Sequence, residues 1–170
     1  MLSILEECNF PVDKVYALAS SRSVGTHIPF KDSELIVGDL ETFDFGLTKI
    51  GLFSPGASVS AIYVPKAVDS GCVVIDNTSQ FRYEDDIPLV VSEVNPHVVG
   101  NYKKRGIIAN PNCSTIQMLV ALKPIYDVVG IERINVCTYQ AVSGTGKEAV
   151  EELTRQSIDF INTKDIKRHV

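Results

Sequence analysis

The strongest chemical signal in the chain is a cysteine among hydrogen-bonding residues, at the junction of a strand-like run and a helix. The string is Asn110-Pro111-Asn112-Cys113-Ser114-Thr115. An apolar run ends at Ala109, a polar turn follows, and an amphipathic helix begins, so Cys113 falls at a helix N-terminus. There the helix dipole and the unsatisfied backbone N–H groups favour a thiolate. The same N–H groups can stabilise the oxyanion that forms when the sulfur attacks a carbonyl. Nucleophilic thiol chemistry needs this placement. A small buried cysteine beside an Asn/Ser/Thr helix cap would read the same way, and these residues alone leave both readings open. Cys8, Cys72 and Cys137 sit among apolar residues and read as small buried hydrophobes. No CxxC pair and no Cys/His cluster has zinc-ligand spacing, so no metal site is expected. His27 in a turn, His97 after Pro96, and His169 near the end read as surface or loop histidines.

The elements that must position Cys113 follow from the pattern of apolar runs. Residues 2–8 have helical spacing that stops at Asn9 and Pro11, although a helix starting uncapped at residue 1 is unusual. Short apolar runs at 15–19, 35–37, 50–53, 72–75, 89–91 and 107–109 predict strands. The run 72–75 is continuously apolar, as in a strand buried on both faces of a parallel sheet. Residues 20–25 form a polar turn. Residues 58–68 predict a helix, with Pro65 weakening its middle. This alternation predicts an α/β domain with a parallel sheet over residues 1–112. The texture then changes. A helix runs from 114 until Pro124 kinks or ends it. Residues 131–142 alternate as one long strand, 143–146 form a sharp turn, and 147–161 form another helix. A second domain over residues 113–170 is therefore expected.

Composition bounds the reading. The chain has 170 residues, 45% hydrophobic and 22% charged, with a net charge of −5. Those are ordinary values for a globular chain, enough for one domain or one domain and part of another. The negative charge argues against a general nucleic-acid binder, which needs a basic surface. No apolar run approaches the ~20 residues of a membrane span, and the first residues are acidic where a signal peptide is basic. The expected location is a reducing cytoplasm, which suits a reactive thiol.

Five segments, in order, are similar to the aspartate-β-semialdehyde dehydrogenase family: ALASSRSVG (17–25), FSPGASVS (53–60), VVIDNTSQFR (73–82), NPNCST (110–115) and TYQAVSGTGKEAVEEL (138–153). They are spread in order along the span from residue 10 to residue 161. The resemblance implies a Rossmann-type dinucleotide-binding domain followed by the start of an α+β catalytic and dimerisation domain. It also implies a reaction. The Cys113 thiolate attacks the aldehyde of aspartate-β-semialdehyde. The hemithioacetal gives hydride to NADP⁺, and phosphate cleaves the resulting thioester to aspartyl-β-phosphate. In cells the family runs mostly in the reductive direction, towards lysine, threonine, methionine and diaminopimelate. The family implies a homodimer or homotetramer.

The resemblance assigns roles by position. Arg82 matches an arginine that holds the phosphate, a task suited to the guanidinium fork. The plainer alternative is a surface ion pair with Glu84, Asp85 or Asp86. Gln140, late in the long strand, matches a substrate-contacting glutamine. Ser143 and Gly144 match a turn that contacts the cofactor. Asn95 and Asn112 read as polar wall residues. Arg22 and Ser23 follow the second strand of the fold, where dinucleotide folds meet the adenosine ribose. A carboxylate there favours NAD and an arginine accommodates a 2′-phosphate, so Ser20-Ser21-Arg22-Ser23 points to NADP.

The chain departs from the family pattern in two respects. It has no match to the initial strand and glycine-rich turn, of the form GxTGxVG, that holds a pyrophosphate. It also has no match to the family's catalytic histidine or substrate-carboxylate arginine. The expectation is therefore an internal fragment, inactive by itself, beginning inside the family's first helix. Glyceraldehyde-3-phosphate dehydrogenases (SNASCTTN) and N-acetyl-glutamyl-phosphate reductases (SNPGCYAT) are relatives whose cysteine motifs fit less closely. A non-catalytic binding domain is the alternative of another class.

Overall fold

The computed structural model describes residues 1–8 and 10–167. Asn9 and His169, read above as a helix end and a surface histidine, lie outside the described residues. The chain divides into two compact units, Met1–Val128 and Val129–Val170. The change of texture read in the sequence is set at Cys113, whereas the units divide after Val128.

In the first unit, strands β5 (Ile50–Phe53), β6 (Val73–Asp76) and β7 (Ile107–Ala109) form a parallel sheet with β6 in the centre. Helix α2 (Ala57–Asp69) makes the crossover from β5 to β6. It follows the turn Ser54-Pro55-Gly56, where Gly56 takes a φ of +102° that only glycine adopts without strain. Ser60, Val64 and Ala67 are fully buried on α2. Their i, i+4, i+7 spacing makes one stripe, and the core they join includes Phe53, Cys72, Val74, Phe81 and Ile107. Pro65 lies within α2 and is exposed, off that stripe.

The Rossmann-like α/β reading holds, with parallel strands at Ile50–Phe53, Val73–Asp76 and Ile107–Ala109 close to the predicted runs. The periphery differs. The run 15–19 contributes only β1 (Leu18–Ala19), which pairs in parallel with β4 (Gly38–Asp39) as a separate two-stranded sheet. Leu35 and Ile36 of the run 35–37 belong to an antiparallel hairpin of β2 (His27–Phe30) and β3 (Ser33–Ile36). Its tight loop places Lys31 at φ +52°. His27 therefore begins a strand rather than sitting in a turn, and its Nδ1 lies 2.8 Å from Glu34 Oε2. Residues 89–91 make a single parallel bridge, Leu89 to Ala109, instead of a full strand. Helix α1 (Leu2–Glu7) buries no residue, so Cys8 after it is exposed, not buried as expected.

Helix α3 (Cys113–Val129) continues through Pro124. Pro124 and Val120 both lie on the exposed side, where solvent can take up the carbonyl that has lost its i+4 donor.

The second unit contains α4 (Lys147–Ile161), as predicted, preceded by a 3₁₀ turn at Val142–Thr145. The long strand expected over 131–142 is absent. The segment up to the 3₁₀ turn has no regular secondary structure, and among the described residues it has no ladder partner. Alternation describes a strand only where one face is covered. Here Ile134, Val136 and Tyr139 are all exposed, and so is Cys137, which the sequence reading had placed inside. Among the described residues no helix is long and apolar enough to cross a membrane.

Candidate active site

Three turns meet at the carboxyl edge of the parallel sheet, where open α/β folds bind their ligands. They are Ser54-Pro55-Gly56 after β5, Asn77-Thr78-Ser79 after β6, and Asn110-Pro111-Asn112 after β7. Backbone bonds continue the ladder into them: Asn77 N–H donates to Phe53 O, and Asn110 N–H to Asp76 O, each at 2.8 Å. Side chains then tie the turns together. Asn110 Nδ2 donates to Asn77 Oδ1 at 2.7 Å, and Asn77 Nδ2 donates to Ser54 Oγ at 3.3 Å.

Cys113 is the first residue of α3 and is exposed. Asn112 caps the helix: its Oδ1 accepts from Ser114 N–H at 2.9 Å and its backbone oxygen accepts from Ile116 N–H at 2.9 Å. Cys113 Sγ lies 4.0 Å from the same Oδ1. The cap thus fixes the first turn beneath the sulfur and takes up the Ser114 N–H. Asn112, read as a wall residue, is the cap. Asn95 Oδ1 accepts from Val91 N–H at 2.8 Å and its Nδ2 donates to Leu89 O at 3.0 Å.

Arg82 reaches the same edge. Its Nε donates to Asn110 O at 2.9 Å and its Nη2 to Asn77 O at 3.0 Å. The guanidinium therefore spans the turns after β6 and β7, three residues before Cys113 on one side. Of the carboxylates considered as its surface partners, Asp86 is paired with Arg105 at 2.9 Å. The hydrogen bond from Arg105 holds the Asp86 carboxyl below its ordinary range.

Arg22 is exposed in the 3₁₀ turn Ser21–Ser23 that follows β1. It lines a cavity of about 570 Å³, together with Ser20, Glu41, Leu52, Ser54 and Tyr63. The volume and the mixed lining fit part of a dinucleotide. The residue after β1 is Ser20, with Arg22 as the nearby cation, while the Glu41 carboxylate comes from the segment after β4. Ser23 is exposed beside Arg22.

Gln140, Ser143 and Gly144 belong to the second unit. Gln140 is exposed in the irregular segment ahead of the 3₁₀ turn, not on a strand. It packs on that turn: a Cβ built on Gly144 would overlap Gln140 Nε2, so Gly144 leaves room for the Gln140 amide. Ser143 is exposed within the turn.

Asp76, Asn77 and Asn110 were not singled out as functional by the sequence reading. A detectable signal existed for Asp76, an ionisable residue closing a continuous apolar strand. Among the described residues no group of three His, Cys, Asp or Glu side chains gathers as metal ligands.

Comparison with known proteins gives consistent matches. Residues 1–102 match the family described as semialdehyde dehydrogenase, NAD binding domain, and residues 122–170 match the semialdehyde dehydrogenase dimerisation domain. The chain is 63% identical over 161 residues to an aspartate-semialdehyde dehydrogenase of Legionella pneumophila, covering 95% of this chain and 46% of that protein. It superposes on the crystal structure of aspartate semialdehyde dehydrogenase II of Vibrio cholerae complexed with ASA, with a TM-score of 0.89 and 53% identity, over 99% of this chain and 50% of that one. The aspartate semialdehyde dehydrogenase of Candida albicans crystallised with NADP matches with a TM-score of 0.60 and 27% identity, over 72% and 42% of the two chains. The chain spans about half the length of the curated relatives it matches.

Proposed function

The chain belongs to the semialdehyde dehydrogenase family, and from that premise we propose that it carries the nucleophile of an NADP-dependent dehydrogenase that converts aspartate β-semialdehyde and phosphate to aspartyl β-phosphate. The observation that carries this reading is Cys113, exposed at the N-terminus of α3 on the carboxyl edge of the parallel sheet, with the Arg82 guanidinium held across the adjoining turns.

In this reading Cys113 Sγ bonds the aldehyde carbon and holds the substrate first as a hemithioacetal and then as a thioester. It leaves as a thiolate when a phosphate oxygen displaces it. NADP, when bound, supplies the hydride acceptor. Arg82 holds the phosphate, since its fork matches two oxygens at once. Gln140 orients the substrate and Gly144 leaves room for its amide. Arg22 meets the cofactor's 2′-phosphate, and Ser23, Ser143 and Gly144 contact the cofactor. The dimerisation-domain match supports an oligomer, here a homodimer or homotetramer. The pathway position is amino-acid biosynthesis in the cytoplasm, where a thiol stays reduced. Residues 1–170 alone are inactive in this reading, because no histidine here matches the family's base.

The test is thiol trapping with turnover. Cys113→Ser in the full-length enzyme is expected to lower phosphate-dependent NADPH formation by at least ~10³-fold, because a serine hydroxyl without an adjacent strong base is a poor nucleophile. Iodoacetamide should modify the wild type at Cys113 and abolish its activity, while NADP binding to the variant stays intact. Substantial residual turnover in the variant would refute the role.

A further inference from the structure

One ionisable side chain at this edge has no part in the chemistry above. Asp76 is the last residue of β6 and is fully buried, as is Ser60 of α2 beside it. Its Oδ1 accepts from Ser60 Oγ at 3.1 Å and from Thr78 N–H at 3.0 Å, and its Oδ2 accepts from Thr78 Oγ1 at 2.8 Å. Thr78 Oγ1 in turn accepts from Gln80 N–H at 3.3 Å. A buried carboxylate is retained where its hydrogen bonds compensate the loss of water. Two of these three bonds go to a single residue, Thr78, and clamp both its backbone and its side chain.

That residue follows Asn77, whose backbone oxygen receives Arg82 Nη2. Asp76 O also receives Asn110 N–H, and Asn110 O receives Arg82 Nε. Both acceptors that set the guanidinium plane therefore adjoin Asp76, one through its own backbone and one through the turn that its carboxylate closes. Asparagine could hold much of the same geometry, with Oδ1 toward Thr78 N–H and its amide donating to the Thr78 hydroxyl, which accepts as well as donates. Alanine would remove both acceptors.

We propose that Asp76 is a positioning residue for Arg82: its buried carboxylate, acting through Thr78, shapes the 77–81 turn so that the guanidinium is presented to the phosphate that cleaves the Cys113 thioester. This rests on the function proposed above for Arg82 and Cys113.

The full-length enzyme is assayed with aspartate semialdehyde, NADP and inorganic phosphate. Thr78→Val keeps the shape of the side chain and removes the hydroxyl. The KM for phosphate is expected to rise roughly 10- to 100-fold, the scale of a displacement of about 1 Å at a reacting group. The KM for NADP and the rate of Cys113 alkylation should stay as in the wild type. Thr78→Ser restores the hydroxyl and should restore the phosphate KM. Ser60→Ala removes the carboxylate's other side-chain partner, away from the turn, and should lower Tm while leaving the phosphate KM unchanged. Asp76→Ala, which removes both acceptors of the clamp, should raise the phosphate KM as Thr78→Val does, and if it fails to fold, the Thr78 pair still decides. An unchanged phosphate KM in Thr78→Val overturns the inference, and so does a rise of equal size in Ser60→Ala. A wild-type enzyme that needs no phosphate overturns the proposed function, and this inference with it.

Discussion

Cys113 and Arg82 come to one edge from segments 31 positions apart, the first beside a side-chain cap and the second on backbone carbonyls. The Asn112 cap fixes the turn that bears the sulfur, and two carbonyls fix the guanidinium. Arg22 is different: it is exposed on the wall of a cavity that the Glu41 carboxylate, from another strand end, also lines. If Arg22 reads a 2′-phosphate, the energy at stake is that of hydrogen bonds to charged groups, about 1.5–3 kcal/mol. Arg22→Ala in the full-length enzyme should then weaken NADP roughly 10- to 100-fold and leave NAD nearly unchanged, as measured by fluorescence titration of both cofactors. Equal losses would mean that Arg22 does not read the phosphate and would turn attention to Glu41.

At the scale of elements, the nucleophile depends on β7 lying in register against β6. The turn into β7 passes through Gly106, at φ +67°, with its amide donating to Tyr102 O. A Cβ added there would lie 2.8 Å from Val68 Cγ1 on α2. Gly106→Ala therefore meets both backbone strain, on the order of 1–2 kcal/mol, and overpacking, on the order of 1–3 kcal/mol. The expected loss of a few kcal/mol is measurable as a lower denaturant midpoint. Adding Val68→Ala should recover the overpacking part and not the strain, so the double variant should be more stable than the sum of the single effects predicts. Strict additivity would show that the two residues do not meet in this way.

At the scale of the whole molecule, the candidate residues fall in two separate compact units. Cys113, Arg82 and Arg22 lie in the first, and Gln140, Ser143 and Gly144 in the second. The histidines among the described residues offer no matched base: His27 contacts Glu34 in the hairpin, and His97 is exposed in the 3₁₀ run Pro96–Lys104. A positioned base contributes ~10²–10⁴-fold, so purified residues 1–170 should give no detectable NADPH formation with aspartate semialdehyde and phosphate. Folding of the sample is checked by amide exchange. Clear Cys113-dependent catalysis would show that a residue within these 170 acts as the base, with His97 the first to replace.

The amino-acid sequence by itself determined the family, through five ordered motifs, and the parallel strands 50–53 and 107–109. Those features are local: continuous apolar runs between turn residues, and a cap next to a cysteine. It also marked Cys113, because an Asn cap and a strand end are read within six residues. Tertiary structure alone decided what depends on partners distant in the chain. Alternation at 131–142 promised a strand, yet a strand exists only where another chain segment completes its hydrogen bonds, and here none does among the described residues. Cys8 and Cys137 are apolar in context but exposed, since burial needs an opposing face. The seat of Arg82 on Asn110 joins residues 28 positions apart, and the Asn110–Asn77 bond beside it joins residues 33 apart. No local pattern encodes them, because they form only after the sheet has set its register.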